Sequence, residues 1–167
     1  MRIWQCALPL AAAVLSVACG SHRHRGLTAE DAAAVDKDVR AFAGVVAHDV
    51  SQEGPAAWRR HFADSPAFFM ASDGQLAFPN SAAATAGIQA FARTIKTISL
   101  EWGDDLRVDP LTPRLAVMAA SWHEVRVDVA GARVDQAGFF TGVVEYRDGR
   151  WQFRDAHWSV AHSAAPR

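Results

Sequence analysis

The spacing of the apolar residues changes near Thr97, and this change limits the fold more than any other feature of the sequence. Before Thr97, apolar residues recur every three or four positions, as on one face of an α-helix. After it, they alternate with polar residues, as in a β-strand with one buried face. The predicted long strands are 98–102, 115–129, 133–147 and 150–160. The chain is therefore predicted to be α+β, with helices first and an antiparallel sheet after them.

Short turns connect the last three strands. Ala130-Gly131 and Asp148-Gly149 are predicted two-residue hairpin turns, in which glycine adopts the positive φ that matches strand twist. Such turns fix which residues share a face of the sheet. The face predicted to be interior carries Leu115, Val117, Ala119, Ser121, Gly138, Phe140, Gly142, Val144, Trp151, Phe153, Asp155, His157 and Ser159. The opposite, convex face carries Met118, Trp122, Glu124, Phe139, Thr141, Val143, Glu145, Gln152, Arg154 and Trp158, and a single β-bulge would reverse the assignment.

The helical third contains three predicted helices. Thr28 and Asp31 can cap the first, whose buried face carries Val35, Val39, Phe42, Val46 and Val50. Gly54-Pro55 ends it and starts a short second helix. Ser72-Asp73-Gly74 predicts a turn between two short strands within 66–79, and Ser81 can cap a third helix that buries Ile88, Phe91, Ala92 and Ile95.

The first 18 residues are typical of an export signal, with Arg2, an apolar run and the small residues Ser16-Val17-Ala18. Leu15 to Cys19 resembles a lipobox, which makes Cys19 the predicted lipid-attachment residue. The alternatives are plain secretion and, after it, an uncleaved anchor or a core segment of the domain. Residues 19–27 are then a tether, 28–160 one domain and 161–167 a polar tail. The expected location is the periplasmic side of the cell envelope, with the membrane contacted only through the lipid.

Three features carry a resemblance to a known family: the helix order, the segment Phe62-Ala63-Asp64, and a terminal motif. That motif reads G-R-W-Q-F-R-D-A-H-W-S over 149–159. Together they resemble the nuclear-transport-factor-2-like superfamily, and within it the SnoaL-like group. The resemblance implies a cone-shaped, strongly curved, mostly antiparallel sheet wrapped around about three N-terminal helices, with a pocket at its open end.

Steroid isomerases, cyclases and dehydratases share this superfamily. The resemblance places the isomerases' catalytic aspartate near Met70 and their helix tyrosine near Ala47, so isomerase chemistry of that kind is disfavoured. The favoured function is an exported domain that binds a small apolar ligand and has no assignable reaction. The residues predicted to bind the ligand are Trp58, Phe62, Phe91, Trp102, Ser121, Phe140 and Ser159.

An enzymatic alternative depends on Asp155 and His157, which are two residues apart on one strand face. An imidazole and a carboxylate at this spacing could act as an acid/base pair in isomerisation, dehydration or hydrolysis. His157 could equally be a hydrogen-bonded core residue. Glu124, His123, Asp73 and Trp102 are weaker candidates near the mouth of the cone, and no metal site or cofactor is predicted.

The predicted partners follow from charge and from the convex face. A formal net charge of −1 provides no basic surface for nucleic acid, so a nucleic-acid partner is not expected. Trp122, Phe139 and Trp158 would form an exposed aromatic patch on the predicted convex face. Such patches usually mark interfaces, so a homodimer through this face is expected.

Overall fold

The computed structural model describes residues 26–161, which contain three helices and seven strands. The predicted export signal, Cys19 and residues 162–167 lie outside the described residues. The helices are α1 (Ala29–Glu53), α2 (Trp58–His61, after a 3-10 turn at Pro55–Ala57) and α3 (Ser81–Thr94). The strands are β1 (Phe69–Ser72), β2 (Gln75–Phe78), β3 (Ile95–Trp102), β4 (Arg107–Thr112), β5 (Leu115–Asp128), β6 (Arg133–Arg147) and β7 (Arg150–Val160). Within this part of the chain, no helix is long and apolar enough to cross a bilayer.

Helix α1 forms as the sequence predicts. Thr28 and Asp31 make a reciprocal capping box, and the five predicted apolar positions of its inner face are all buried. The helix also protects the sheet, because the hydroxyl of Ser51 accepts the main-chain N–H of Leu100 on β3 at 3.0 Å. The exposed edge of a strand is thereby blocked by a helix.

The strands form one curved sheet in the order β2-β1-β7-β6-β5-β3, with β4 beside β5. All pairs are antiparallel except β1 with β7, and the predicted α+β cone is confirmed. The sequence did not predict β4, which contains Pro110. Proline lacks a main-chain N–H, so it favours an edge strand, and β4 pairs with β5 alone.

The predicted register of β5 is wrong by one residue. Val127 pairs with Arg133, so the connection spans five residues, 128–132, rather than Ala130-Gly131 alone. The Asp128 carboxylate stabilises the longer loop by accepting the main-chain N–H of Ala132 at 2.8 Å. Because side chains alternate along a strand, this shift reverses both faces of β5, and Met118 and Trp122 lie inside the cone.

A β-bulge reverses the outer half of β7 as well. The Asp148-Gly149 turn forms as predicted, and Phe153 pairs with Val144. The next pair is Asp155 with Val143, so Arg154 is an extra residue. Beyond the bulge, Ala156 and Trp158 point inward, whereas His157 is exposed on the outer face.

These corrections remove most of the predicted dimer patch. Trp122 and Trp158 are inside the cone, and only Phe139 remains on the outer face, where it is 44% exposed. One aromatic side chain is ordinary for a protein surface. The premise of the predicted dimer, that Trp122 and Trp158 are exposed on the convex face, is therefore wrong.

Helix α3 begins one residue earlier than its predicted cap implies. The side chain of Asn80, rather than Ser81, accepts the main-chain N–H of Ala83 at 2.9 Å. Ile88 is buried and Phe91 partly buried, as expected, but Ile95 already belongs to β3. The helix thus ends directly in the first long strand and covers one side of the cone.

Candidate functional site

The open end of the cone holds a pocket of about 350 Å³. Seven elements surround it: α2, β1, β2, α3, β5, β6 and β7. Its lining is Trp58, Phe62, Met70, Ser72, Asp73, Phe78, Ile88, Phe91, Trp122, Glu124, Arg126, Gln136, Trp158 and Val160. The volume lies near the lower end of the range for small-molecule sites, about 300–1,000 Å³.

The wall of the pocket is aromatic. Trp58 stacks on Phe62 with ring centroids 5.7 Å apart, and it meets Trp158 edge-on at 5.4 Å. Trp158 also contacts Trp122 at 5.3 Å and stacks on Trp102 at 5.6 Å. Rings held by this many neighbours have few alternative positions, so the pocket is formed before any ligand arrives.

One side of the pocket carries an ion pair. Arg126 donates to the carboxylate of Glu124, and the Gln136 side-chain amide donates to the same oxygen at 3.1 Å. The Glu124 side chain is only 12% exposed. The Arg126 guanidinium lies 5.8 Å from the centre of the Phe91 ring. The negative charge of Glu124 is therefore paired with the positive charge of Arg126, and its carboxylate is already hydrogen-bonded.

Asp73 lies at the mouth of the pocket, in the turn between β1 and β2. Its φ of 48° and that of Gly74, 80°, are both positive, as in the tight turns that favour Asp-Gly. Its main-chain N–H donates to the Trp158 carbonyl at 3.1 Å, and its carboxylate accepts the main-chain N–H of Val160 at 2.8 Å. These two bonds fix the hairpin against the end of β7.

The predicted ligand-binding residues separate into three groups. Trp58, Phe62 and Phe91 line the pocket. Trp102 and Phe140 lie behind it and pack on Trp158, at 5.6 and 4.8 Å. Ser121 and Ser159 do not line this pocket but, with Trp102, a separate open cavity of about 520 Å³. There Ser121 donates to the Asp105 carboxylate and Ser159 to the Phe139 carbonyl.

The sequence missed the polar side of the pocket in part. Glu124 and Asp73 were weak candidates for the mouth, but Arg126 and Gln136 were not considered. Arg126 lies on β5, whose predicted faces depended on the length of one turn, 128–132. The alternation Trp122, Glu124, Arg126 was the available signal, because three bulky or charged residues at every second position mark one continuous face.

The predicted acid/base pair lies on the outer face of the sheet. His157 is exposed, Asp155 is half-buried, and neither lines the pocket. Asp155 accepts the main-chain N–H of Val143 at 3.1 Å, and burial raises the pKa of its carboxyl group above the usual value. The premise that both side chains point into the cone is therefore wrong, because the bulge at Arg154 reverses their orientation.

A second histidine is buried between the helices, away from the pocket. His61 lies 2.9 Å from the Asp49 carboxylate, which also accepts a hydrogen bond from Arg60 at 3.0 Å. Burial lowers the pKa of the His61 imidazole, although the Asp49 charge acts in the opposite direction. The hydrogen bonds from Arg60 lower the pKa of Asp49.

The buried imidazole of His61 predicts a loss of stability in mild acid. Its pKa in the folded state lies below the unfolded value of 6.5, so between these values the unfolded chain binds more protons. The free energy of unfolding should fall as the pH drops below 6.5, by at most about 1.4 kcal/mol per pH unit from this group. Urea unfolding at several pH values measures this slope. His61→Gln should reduce the dependence of the free energy of unfolding on pH. An unchanged dependence in this variant would show that another group causes it.

Comparison with solved structures identifies the fold. The chain is similar to a nuclear-transport-factor-2-like superfamily protein from Salmonella enterica serovar Typhimurium, with a TM-score of 0.67 and 13% identity over 80% of this chain and 95% of that one. A protein of unknown function with this fold from Shewanella oneidensis has a TM-score of 0.57 and 15% identity, over 74% and 97%. A hexachlorocyclohexane dehydrochlorinase has a TM-score of 0.65 and 12% identity, over 81% and 90%.

The chain thus has the nuclear-transport-factor-2-like fold. No protein-family model and no curated protein matches its sequence. Its structural neighbours include enzymes and proteins of unknown function, so the fold by itself does not select an activity. The choice between a binding function and a catalytic one therefore depends on the chemistry of the side chains that line the pocket.

Proposed function

We propose that this protein binds a small, largely apolar molecule in the pocket of the cone and does not transform it. The observation that carries this proposal is the lining of the pocket. Its wall is aromatic and aliphatic, and no histidine or cysteine is among the lining residues. The lining carboxylates of Glu124 and Asp73 already accept hydrogen bonds from neighbouring groups. A preformed apolar pocket with a few fixed polar groups is typical of a binding site.

Two further observations favour binding over catalysis. Met70, near the position of the catalytic aspartate in the resemblance to steroid isomerases, lines the pocket with a thioether that cannot take up a proton. His157 and Asp155, the pair on which the enzymatic alternative depends, are on the other face of the sheet. General acid/base catalysis requires hydrogen-bond reach of the reacting group, and a ligand in the pocket is out of their reach.

The proposal includes the location of the protein. Residues 1–18 have the pattern of an export signal and Cys19 that of a lipid-attachment site, so we propose that the domain acts on the periplasmic side of the cell envelope, tethered by residues 19–27. A tethered binding domain would hold its ligand close to the membrane surface. Mass spectrometry of the mature protein would detect the lipid on Cys19.

Filling the pocket with a large side chain should weaken ligand binding. Ser72 is a partly buried lining residue at the end of β1, so Ser72→Trp would place a large ring in the pocket. Ligand-observed saturation-transfer NMR with tert-butylbenzene, a small neutral hydrocarbon, measures binding. We expect Ser72→Trp to weaken it by at least about tenfold, the equivalent of about 1.4 kcal/mol.

Ser99→Trp is the matched control, because Ser99 is an exposed strand residue that does not line the pocket. It should bind the probe as the wild type does. Circular dichroism of both variants reports whether the fold is retained. Equal binding by the wild type and a folded Ser72→Trp variant would show that the hydrocarbon binds elsewhere and would contradict the proposed site.

A further inference from the structure

We propose that the ligand of this pocket is an organic cation, an apolar body that carries an amine or quaternary ammonium group. This inference depends on the proposed binding function and adds the chemical class of the ligand to it. Three observations support it: the charge of the lining, the free hydrogen-bonding capacity of Asp73, and the density of aromatic rings around the pocket.

The lining has an uncompensated negative charge. Its charged residues are Asp73, Glu124 and Arg126, two anions and one cation, which gives a formal sum of −1. Glu124 and Arg126 are paired with each other. Asp73 forms no ion pair with any residue in 26–161, so its charge is the one that a ligand would meet.

Asp73 keeps acceptor sites for a ligand. One carboxylate oxygen accepts the main-chain N–H of Val160 at 2.8 Å, and the other accepts the hydroxyl of Ser72 at 3.2 Å. Each carboxylate oxygen offers about two lone-pair sites, so one site on each remains. The turn and the bond to Val160 hold the group in place. A protonated amine could therefore bind Asp73 without breaking an existing hydrogen bond.

The aromatic wall of the pocket is the third observation that favours a cation. Three tryptophans, Trp58, Trp122 and Trp158, line the pocket together with Phe91. A cation within about 6 Å of a ring centre is attracted by the negative face of the ring, most strongly by tryptophan. The protein itself has one such contact in the pocket, Arg126 over Phe91 at 5.8 Å. A quaternary ammonium, which cannot donate a hydrogen bond, would be held by these rings and by the charge of Asp73.

Three probes of similar shape separate the ligand classes: phenyltrimethylammonium, its neutral isostere tert-butylbenzene, and the anion benzenesulfonate. Burial in an apolar pocket alone would favour the hydrocarbon, because it loses no hydration of a charge. We expect the opposite order in saturation-transfer NMR of the purified full-length chain. Phenyltrimethylammonium should bind at least about threefold more tightly than tert-butylbenzene, and benzenesulfonate most weakly.

Asp73→Asn tests the residue. Asparagine keeps an oxygen for the N–H of Val160 and tolerates the positive φ of this turn, so the fold should be retained. The affinity for phenyltrimethylammonium should fall about three- to tenfold, and that for tert-butylbenzene should change less than about twofold. Asp148→Asn removes the same charge at a similar φ of 53° outside the pocket, and it should change neither.

The outcomes distinguish this inference from the proposed function. If tert-butylbenzene binds at least as tightly as the cation, the pocket is a binding site but the cation inference is wrong. If Asp148→Asn weakens cation binding as much as Asp73→Asn does, the preference reflects overall charge, and the role of Asp73 is also wrong. If none of the three probes binds, both the inference and the proposed pocket function are contradicted.

Discussion

Replacing Gly138 with alanine is expected to lower the free energy of unfolding by about 3 kcal/mol or more. A Cβ atom at this position of β6 would lie 1.8 Å from the Ser159 carbonyl oxygen and 2.8 Å from Cζ2 of Trp122. The first of these neighbours is a main-chain atom, which cannot relieve the clash by a change of rotamer as a side chain can. The substitution should therefore separate β6 from β7 and displace a wall of the pocket.

Gly44→Ala is the matched control for this prediction. Gly44 is an exposed residue in α1, and a Cβ atom there meets nothing within 4 Å. Alanine is the better helix former, so this variant should gain about 0.5–1 kcal/mol. Urea unfolding of the two variants measures both effects. A Gly138→Ala variant as stable as the wild type would contradict the close packing of Trp122 under β6 and β7.

Trp158→Ala is expected to destabilise the protein by about 3 kcal/mol. Its ring contacts Trp58, Trp102, Trp122 and Phe140, with centroids 4.8–5.6 Å apart. Removal of the indole would leave all four rings without a common neighbour and would enlarge the pocket. Binding of a small probe should weaken as well, because the wall would no longer be preformed.

His157→Ala, one residue away, should change the free energy of unfolding by less than about 0.5 kcal/mol. His157 is exposed and points to the outer face, so its removal leaves no cavity. The two variants together test the bulge at Arg154, which decides the faces of this half of β7. A large loss of stability from His157→Ala and a small loss from Trp158→Ala would contradict the bulge. That result would support the sequence-based prediction that His157 points inward and Trp158 outward.

The sequence predicted the elements of this fold better than their orientation. The helix face of Val35, Val39, Phe42, Val46 and Val50 was correct, because five positions at helical spacing determine one face. The Asp148-Gly149 turn and the pairing of Val144 with Phe153 were also correct. In each of these cases the residues of a short segment determine the structure, through helical spacing in α1 and through the Asp-Gly turn between β6 and β7.

The errors in the predicted strand faces arose where one additional residue changes the register of a strand. An additional residue at Arg154 and a longer connection at 128–132 each shift a strand by one position, which exchanges its two faces. No local pattern marks the bulge at Arg154, and the alternation of Trp122, Glu124 and Arg126 was the only signal for the true face of β5. The pocket was consequently assigned His157 and Ser159, whereas its strand walls are Trp122, Glu124 and Trp158. Trp58, Phe62 and Phe91, on or next to the helices, line the pocket as expected because no strand register decides their placement, and their role in ligand binding remains a prediction.

Native mass spectrometry of the protein purified from its own host tests the proposed binding function most directly. We expect one small molecule bound per chain, with an apolar body, retained equally by the wild type and by His157→Ala and lost from Ser72→Trp. An empty wild type beside a His157→Ala variant that accumulates a compound would contradict this expectation. That result would mean that the outer face of the sheet carries out a reaction and that the protein is an enzyme.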